Sequence, residues 1–286
     1  MTPNLLGDRP RKLKYDPDLA NRLNREAELV EARERREALL GRKSSSPSKP
    51  PKGNPDPDPD PASDNRLISV GNYILMSQTS TYALGLHALQ EACQKENNQH
   101  HPQITLPDGR KVYRANTFLE DILARMNDWE TLTDGNGNTR TEDERKRYFI
   151  TWLDSCGGIA YKQKTTKLKL QLICPQLMGI AKDHKSAFLS VNYAGFSGQE
   201  FDSSAPNFVH DAWLYLLEGR TDVYTDYLKT LKTITGRDVI PGFWKQQNTT
   251  TDELRAVFVD NLDIISGANG SSYLDNNGRF LRRSSP

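Results

Sequence analysis

Cys156 stands in the string Asp-Ser-Cys-Gly-Gly, and a cysteine beside glycines invites reading as a nucleophile. A thiol needs a general base, and His184 and His210 are the candidates, with Asp154, Asp183 or Asp211 to orient the ring. A thiolate also gains from the N-terminal end of a helix, where the dipole favours negative charge. The pattern over 142–156 predicts a helix stopped by Gly157 and Gly158, which puts Cys156 at the opposite end, beside Trp152 and Leu153 on the apolar face. That placement suits a core thiol. A cysteine-dependent hydrolase is therefore the last of three functional readings.

Metal and phosphate chemistry find less support. Asp134, Asn136 and Asn138 begin like a calcium loop, but Thr139 and Arg145 occupy the positions where Gly and a bidentate Glu are required. His100 and His101 lie in an Asn/Gln loop without a carboxylate at ligand spacing, and His87 has no second ligand one helical turn on. Cys93, Cys156 and Cys174 form no close pair of the kind zinc sites use, and are expected to be reduced, buried thiols. The phosphate-loop, dinucleotide and Gly-x-Ser-x-Gly signatures are absent. No metal and no cofactor is expected.

The second reading is a nucleic-acid-binding accessory protein. Lys162, Lys164, Lys167 and Lys169 cluster beside Tyr161, and strand alternation would put Lys167 and Lys169 opposite Leu168 and Leu170. Trp244 with Lys245, and the tail residues Arg279, Phe280, Arg282 and Arg283, mix aromatic rings with cations as a single-strand stacking platform would. The alternative for each is a solvated strand face or an ordinary charged tail. Charge is balanced: residues 1–64 hold 13 basic and 12 acidic side chains, leaving 25 of each. Neither part carries the net field that draws a chain onto DNA or an anionic membrane, so only a local patch could bind nucleic acid.

The elements that would position these residues fall into three segments. Residues 1–43 form a charged arm whose 16–43 portion predicts a helix, rich in Glu–Arg pairs and marked by a thin stripe of Leu19, Leu23, Val30, Leu39 and Leu40. A helix this polar cannot sit in a core. It either stands solvated or docks its stripe into a partner's groove. Residues 44–64 are a Ser/Pro/Asp-Pro linker, extended by its prolines and by like-charge repulsion.

Residues 65–286 predict one globular domain, expected to be self-sufficient at that size. Helices are predicted over 79–96, 116–132, 142–156, 207–219, 221–235 and 248–262. Strands are predicted over 67–76 and 164–180, with 186–196 as the latter's partner. Hairpins are predicted over 103–114 and, around Asn-Asn-Gly, over 273–283. The irregular alternation lacks a βαβ rhythm, so the class is α+β with short, mainly antiparallel strands.

No stretch approaches the length of a membrane span and the first residues lack a signal peptide's apolar segment, so a protein of the cytoplasm, or of the interior of an intracellular assembly, without a membrane partner is expected. The layout of arm, spacer and domain makes the first reading a non-catalytic interaction or assembly protein, whose helix docks on a protein partner or neighbouring subunit.

Overall fold

The computed structural model describes residues 68–70, 73–131, 138–149, 152–236, 238–246, 249–259, 265–270, 274–275 and 279–283. The predicted arm, with Leu19, Leu23, Val30, Leu39 and Leu40, and the predicted linker lie outside the described residues. So does the Asn276-Asn277-Gly278 turn.

The domain is mixed α+β and its sheets are mostly antiparallel. The strands are β1 (Ile68–Val70), β2 (Tyr73–Leu75), β3 (Gln103–Thr105), β4 (Lys111–Tyr113), β5 (Leu153–Tyr161), β6 (Lys167–Gln171), β7 (Leu189–Ser190), β8 (Gln199–Asp202), β9 (Ile240–Trp244), β10 (Glu253–Val259), β11 (Ile265–Asn269) and β12 (Leu281–Arg283). The helices are α1 (Tyr82–Lys95), α2 (Phe118–Glu130), α3 (Glu142–Phe149), α4 (Pro175–Met178), α5 (Phe208–Leu216) and α6 (Thr221–Thr235).

The main sheet runs β8-β6-β5-β10-β11-β9, with β7 also paired to β10. Its pairings are antiparallel except for β9 alongside β11. Strands β1, β2 and β12 form a second sheet, and β3–β4 is the predicted hairpin.

Every residue of β5 and β10 is buried. The reason is that the sheet is covered on both faces. Ile159, Tyr161, Val257 and Val259 point into a core closed by Phe118 and Ile122 of α2, Trp213 and Leu216 of α5, and Tyr227 and Leu231 of α6. Ala160, Leu254, Ala256 and Phe258 point into another core with Tyr82, Leu86 and Leu89 of α1 and Leu177 and Met178 of α4. Burying one such large apolar side chain contributes about 1.5–3 kcal/mol, so the two-sided sandwich outweighs local preference in the strands at its centre.

Caps fix the helix ends. Thr81 caps α1, accepting from the Leu84 N–H at 3.2 Å. Thr117 and Glu120 form a capping box at the start of α2. Thr141 and Glu144 do the same for α3. Gly236, at φ 72°, ends α6 in the left-handed conformation that suits glycine.

Four expectations are corrected. The helix predicted over 142–156 ends at Phe149, and the chain continues as β5. Gly157 and Gly158 are not its stop but lie within that strand. A Cβ on Gly158 would approach Cys174 Sγ to 2.8 Å, so close packing requires the glycine. The helix predicted over 248–262 is strand β10, because its apolar residues are buried alternately on two opposite faces.

Strand β6 pairs with β5 and β8 rather than with 186–196, whose short β7 pairs with β10. Strand β12 pairs with β2, bringing Leu281 opposite Leu75.

Candidate functional site

The centre of the molecule contains an irregularity. In the β5–β10 ladder Ala256 pairs with Gly158 and Phe258 with Asp154, so Ser155, Cys156 and Gly157 together oppose Val257. This bulge is stitched in place by its neighbours. Ser155 Oγ donates to the Val257 carbonyl at 2.6 Å, and the Tyr82 hydroxyl donates to the Ser155 carbonyl at 2.9 Å. The Cys156 N–H donates to the Asn116 carbonyl and its own carbonyl accepts from the Cys174 N–H, both at 2.8 Å. Bulges re-aim side chains and often flank functional residues.

Beside it lies a buried polar cluster. Asn116, Asp121 and Asp154 are at most 1% exposed. Asn116 Nδ2 donates to Asp121 Oδ1 at 3.0 Å. Among the described residues, Asn116 Oδ1, Asp121 Oδ2 and both carboxyl oxygens of Asp154 have no hydrogen-bond partner. Burial pushes both carboxyls well above the usual range. Glu120's charge adds to this at Asp121, against the Asn116 hydrogen bond and the charges of Arg125 and Arg114, and Asp121's charge adds to it at Asp154. No sequence motif links these residues. In the sequence Asp154 stands out only as an orienter for a histidine, and Asp121 sits among the acids that open α2.

Cys156 is correspondingly placed in the middle of a buried strand, not at a helix end. Its thiol is fully buried, lies 3.9 Å from Arg114 Nη1, and donates to the Leu172 carbonyl at 3.5 Å. Burial pushes the thiol upward, against the pull of Arg114. His210 is exposed and pairs with its neighbour Asp211 at 3.2 Å. The His184 N–H donates to the Ala181 carbonyl, and its Nε2 has no partner among the described residues. No histidine bonds Cys156 among the described residues.

The cations of the second reading divide. Lys162 and Lys164 are exposed, and the Lys162 ammonium lies 5.9 Å from the centre of the Tyr193 ring. Lys167 pairs with Glu200 at 3.2 Å on the exposed side of β6. Lys169 is drawn inward, donating to the carbonyls of Tyr193 and Phe196 at 3.0 Å. Trp244 is half-buried at the β9 edge, and Lys245 donates to the Ser203 carbonyl and lies over the Phe208 ring.

The tail is not a projecting basic stripe. Arg279 and Arg282 are buried, Arg282 pairs with Glu96, and Arg283 pairs with Glu120 at 3.0 Å. The cause is the docking of β12 against β2, which carries the tail cations to acids near the end of α1 and the start of α2.

Among the described residues no group of three His, Cys, Asp or Glu side chains converges as a metal site would require, and no helix is long and apolar enough to cross a membrane.

No family model and no curated protein matches the chain. One solved structure, described as the accommodation of massive sequence variation in Nanoarchaeota by the C-type lectin fold, aligns with 76% of this chain and 100% of its own. The identity is 15% and the TM-score 0.45.

Proposed function

We propose that the chain is an interaction or assembly protein whose N-terminal helix docks its apolar stripe on a protein partner or a neighbouring subunit. The observation that carries this reading is the layout of the sequence. Leu19, Leu23, Val30, Leu39 and Leu40 punctuate an otherwise charged segment, which an Asp-Pro spacer separates from a domain with its own two-sided core. The inward use of Lys169, Lys245, Arg282 and Arg283 adds support, because side chains spent on the domain's own carbonyls and acids are not offered to a polyanion.

The test compares the full chain with a variant carrying Leu23→Ser, Val30→Ser and Leu39→Ser. Sedimentation reads self-association, and affinity capture from native extract, with and without nuclease, reads partners. A complex that ignores nuclease and is lost in the variant supports docking by the arm. A complex indifferent to the variant and abolished by nuclease rejects it.

That second outcome would favour nucleic-acid binding, which retains one specific observation: Lys162, Lys164 and Lys167 lie together at one exposed end of the β5–β6 turn. Its signature would be an affinity that falls steeply with salt and weakens in a Lys162→Glu/Lys164→Glu variant.

A further inference from the structure

The four orphaned oxygens of Asn116, Asp121 and Asp154 demand a source of hydrogen-bond donors, because a buried carboxylate without partners costs several kcal/mol. We propose that Asp121 and Asp154 are held as neutral carboxylic acids in the folded domain, forming with Asn116 a buried proton-holding cluster that weakens the fold when its protons are lost.

The count of groups supports this. Two protons turn two of the four orphaned acceptors into O–H groups and remove both buried negative charges. A hard cation is a poorer fit, since calcium takes about six to eight oxygens and magnesium keeps waters, and the cluster supplies four in a fully buried setting.

The surrounding charges do not supply the missing partners. Of the arginines nearest Asp121, Arg114 is engaged by Glu120 at 2.6 Å. Arg125 donates to the Tyr227 hydroxyl at 3.1 Å and to the Val259 carbonyl at 3.5 Å. From α1 the cluster faces the Tyr82 hydroxyl, which is committed to Ser155. From β5 it faces the thiol of Cys156, and from α2 it faces Glu120, whose charge opposes ionisation of Asp121. From the tail, the Arg279 carbonyl accepts the Asp154 N–H at 2.8 Å. The cluster therefore joins α2, the bulged centre of β5 and the residues leading into β12.

The direction of the pH effect follows from linkage. Carboxyls raised in the folded state bind protons that the unfolded chain releases above its ordinary value near 4. Their contribution is fully present below that value and is lost as pH rises toward the folded-state value. Each proton so held lowers the folding constant by up to about tenfold per pH unit within that window.

The experiment is urea unfolding of the full chain between pH 5 and 8, beside Asp154→Asn and Asp121→Asn, whose amides imitate neutral carboxyls. Other titrating groups are common to all three proteins and cancel in the differences. The expected result is a variant advantage that grows with pH in both variants, by up to about tenfold in folding constant per pH unit. An advantage independent of pH, a loss of stability in either variant across the range, or failure of both to fold would overturn the proposal. A wild-type midpoint raised by millimolar calcium or magnesium, and insensitive to either in the variants, would also overturn it and assign the cluster to a cation.

Discussion

His101 receives the main-chain N–H of Arg283 on its Nδ1 at 3.2 Å, across 182 residues of sequence. Because that nitrogen must accept, the ring proton sits on Nε2 and is donated to the Arg114 carbonyl at 2.8 Å. The neutral ring is thus a two-ended staple between the tail strand and the residues after β4. Burial, with Arg114 and Arg283 close by, pulls its pKa down from 6.5 to about 4 despite the Arg114 carbonyl.

The staple makes tail docking acid-sensitive. Between pH 6.5 and about 4 the unfolded chain binds a proton that the folded state refuses, so stability is full above 6.5 and falls as pH drops through that window. The loss reaches at most about 3.5 kcal/mol, because each pH unit crossed removes roughly 1.4 kcal/mol. Urea unfolding at pH 7, 5 and 4 measures it. His101→Phe should be less stable at pH 7 and should lose this part of the acid sensitivity.

Glu120 serves as the hub for two cations, Arg114 after β4 and Arg283 in the tail. It holds Arg114 at 2.6 Å and Arg283 at 3.0 Å, and also accepts the Thr117 N–H at 2.8 Å in the capping box. Glu120→Ala would leave Arg114 uncompensated in a mostly buried site, at a cost of about 3 kcal/mol. Calorimetry should show the drop, and amide exchange in β12 should quicken more than in β10.

Gly158→Ala should destabilise the domain by about 1–3 kcal/mol, because the new methyl would lie 2.8 Å from both Cβ and Sγ of Cys174. Cys174→Ala removes the sulfur half of that clash. The double variant should therefore be more stable than the sum of the two single effects predicts, and a double-mutant cycle reads the coupling.

The three cysteines should be inert in the folded protein. Burial pushes Cys93 to about 12 and Cys174 to about 11, and drives Cys156 upward as well, so the reactive thiolate is scarce and inaccessible at neutral pH. A thiol reagent should modify none of them natively and all three in urea. Rapid native labelling of Cys156 would revive the hydrolase reading.

Helices with one apolar face are legible from the residues alone. The stripe of Tyr82, Leu86, Leu89 and Cys93, the capping box of Thr141 with Glu144, and the Gly236 stop all act within a few residues of themselves, so spacing suffices to find them. The α+β class follows from their irregular mixture with short strands.

The centre of the sheet is decided by tertiary contacts. Residues of β5 and β10 are buried on both faces, which erases the alternation that marks a half-exposed strand and leaves 248–262 resembling a capped helix. The bulge at Ser155–Gly157 depends on Tyr82, Asn116, Cys174 and Val257, and all but Cys174 lie far along the chain. The tail's cations are visible in the sequence, but their fate is set by Glu96 and Glu120, which only the docking of β12 on β2 brings within reach. Asp121 and Asp154 are equally visible as residues. Whether a carboxyl is charged depends on the water and donors around it, and those are properties of the packed interior rather than of neighbours in sequence.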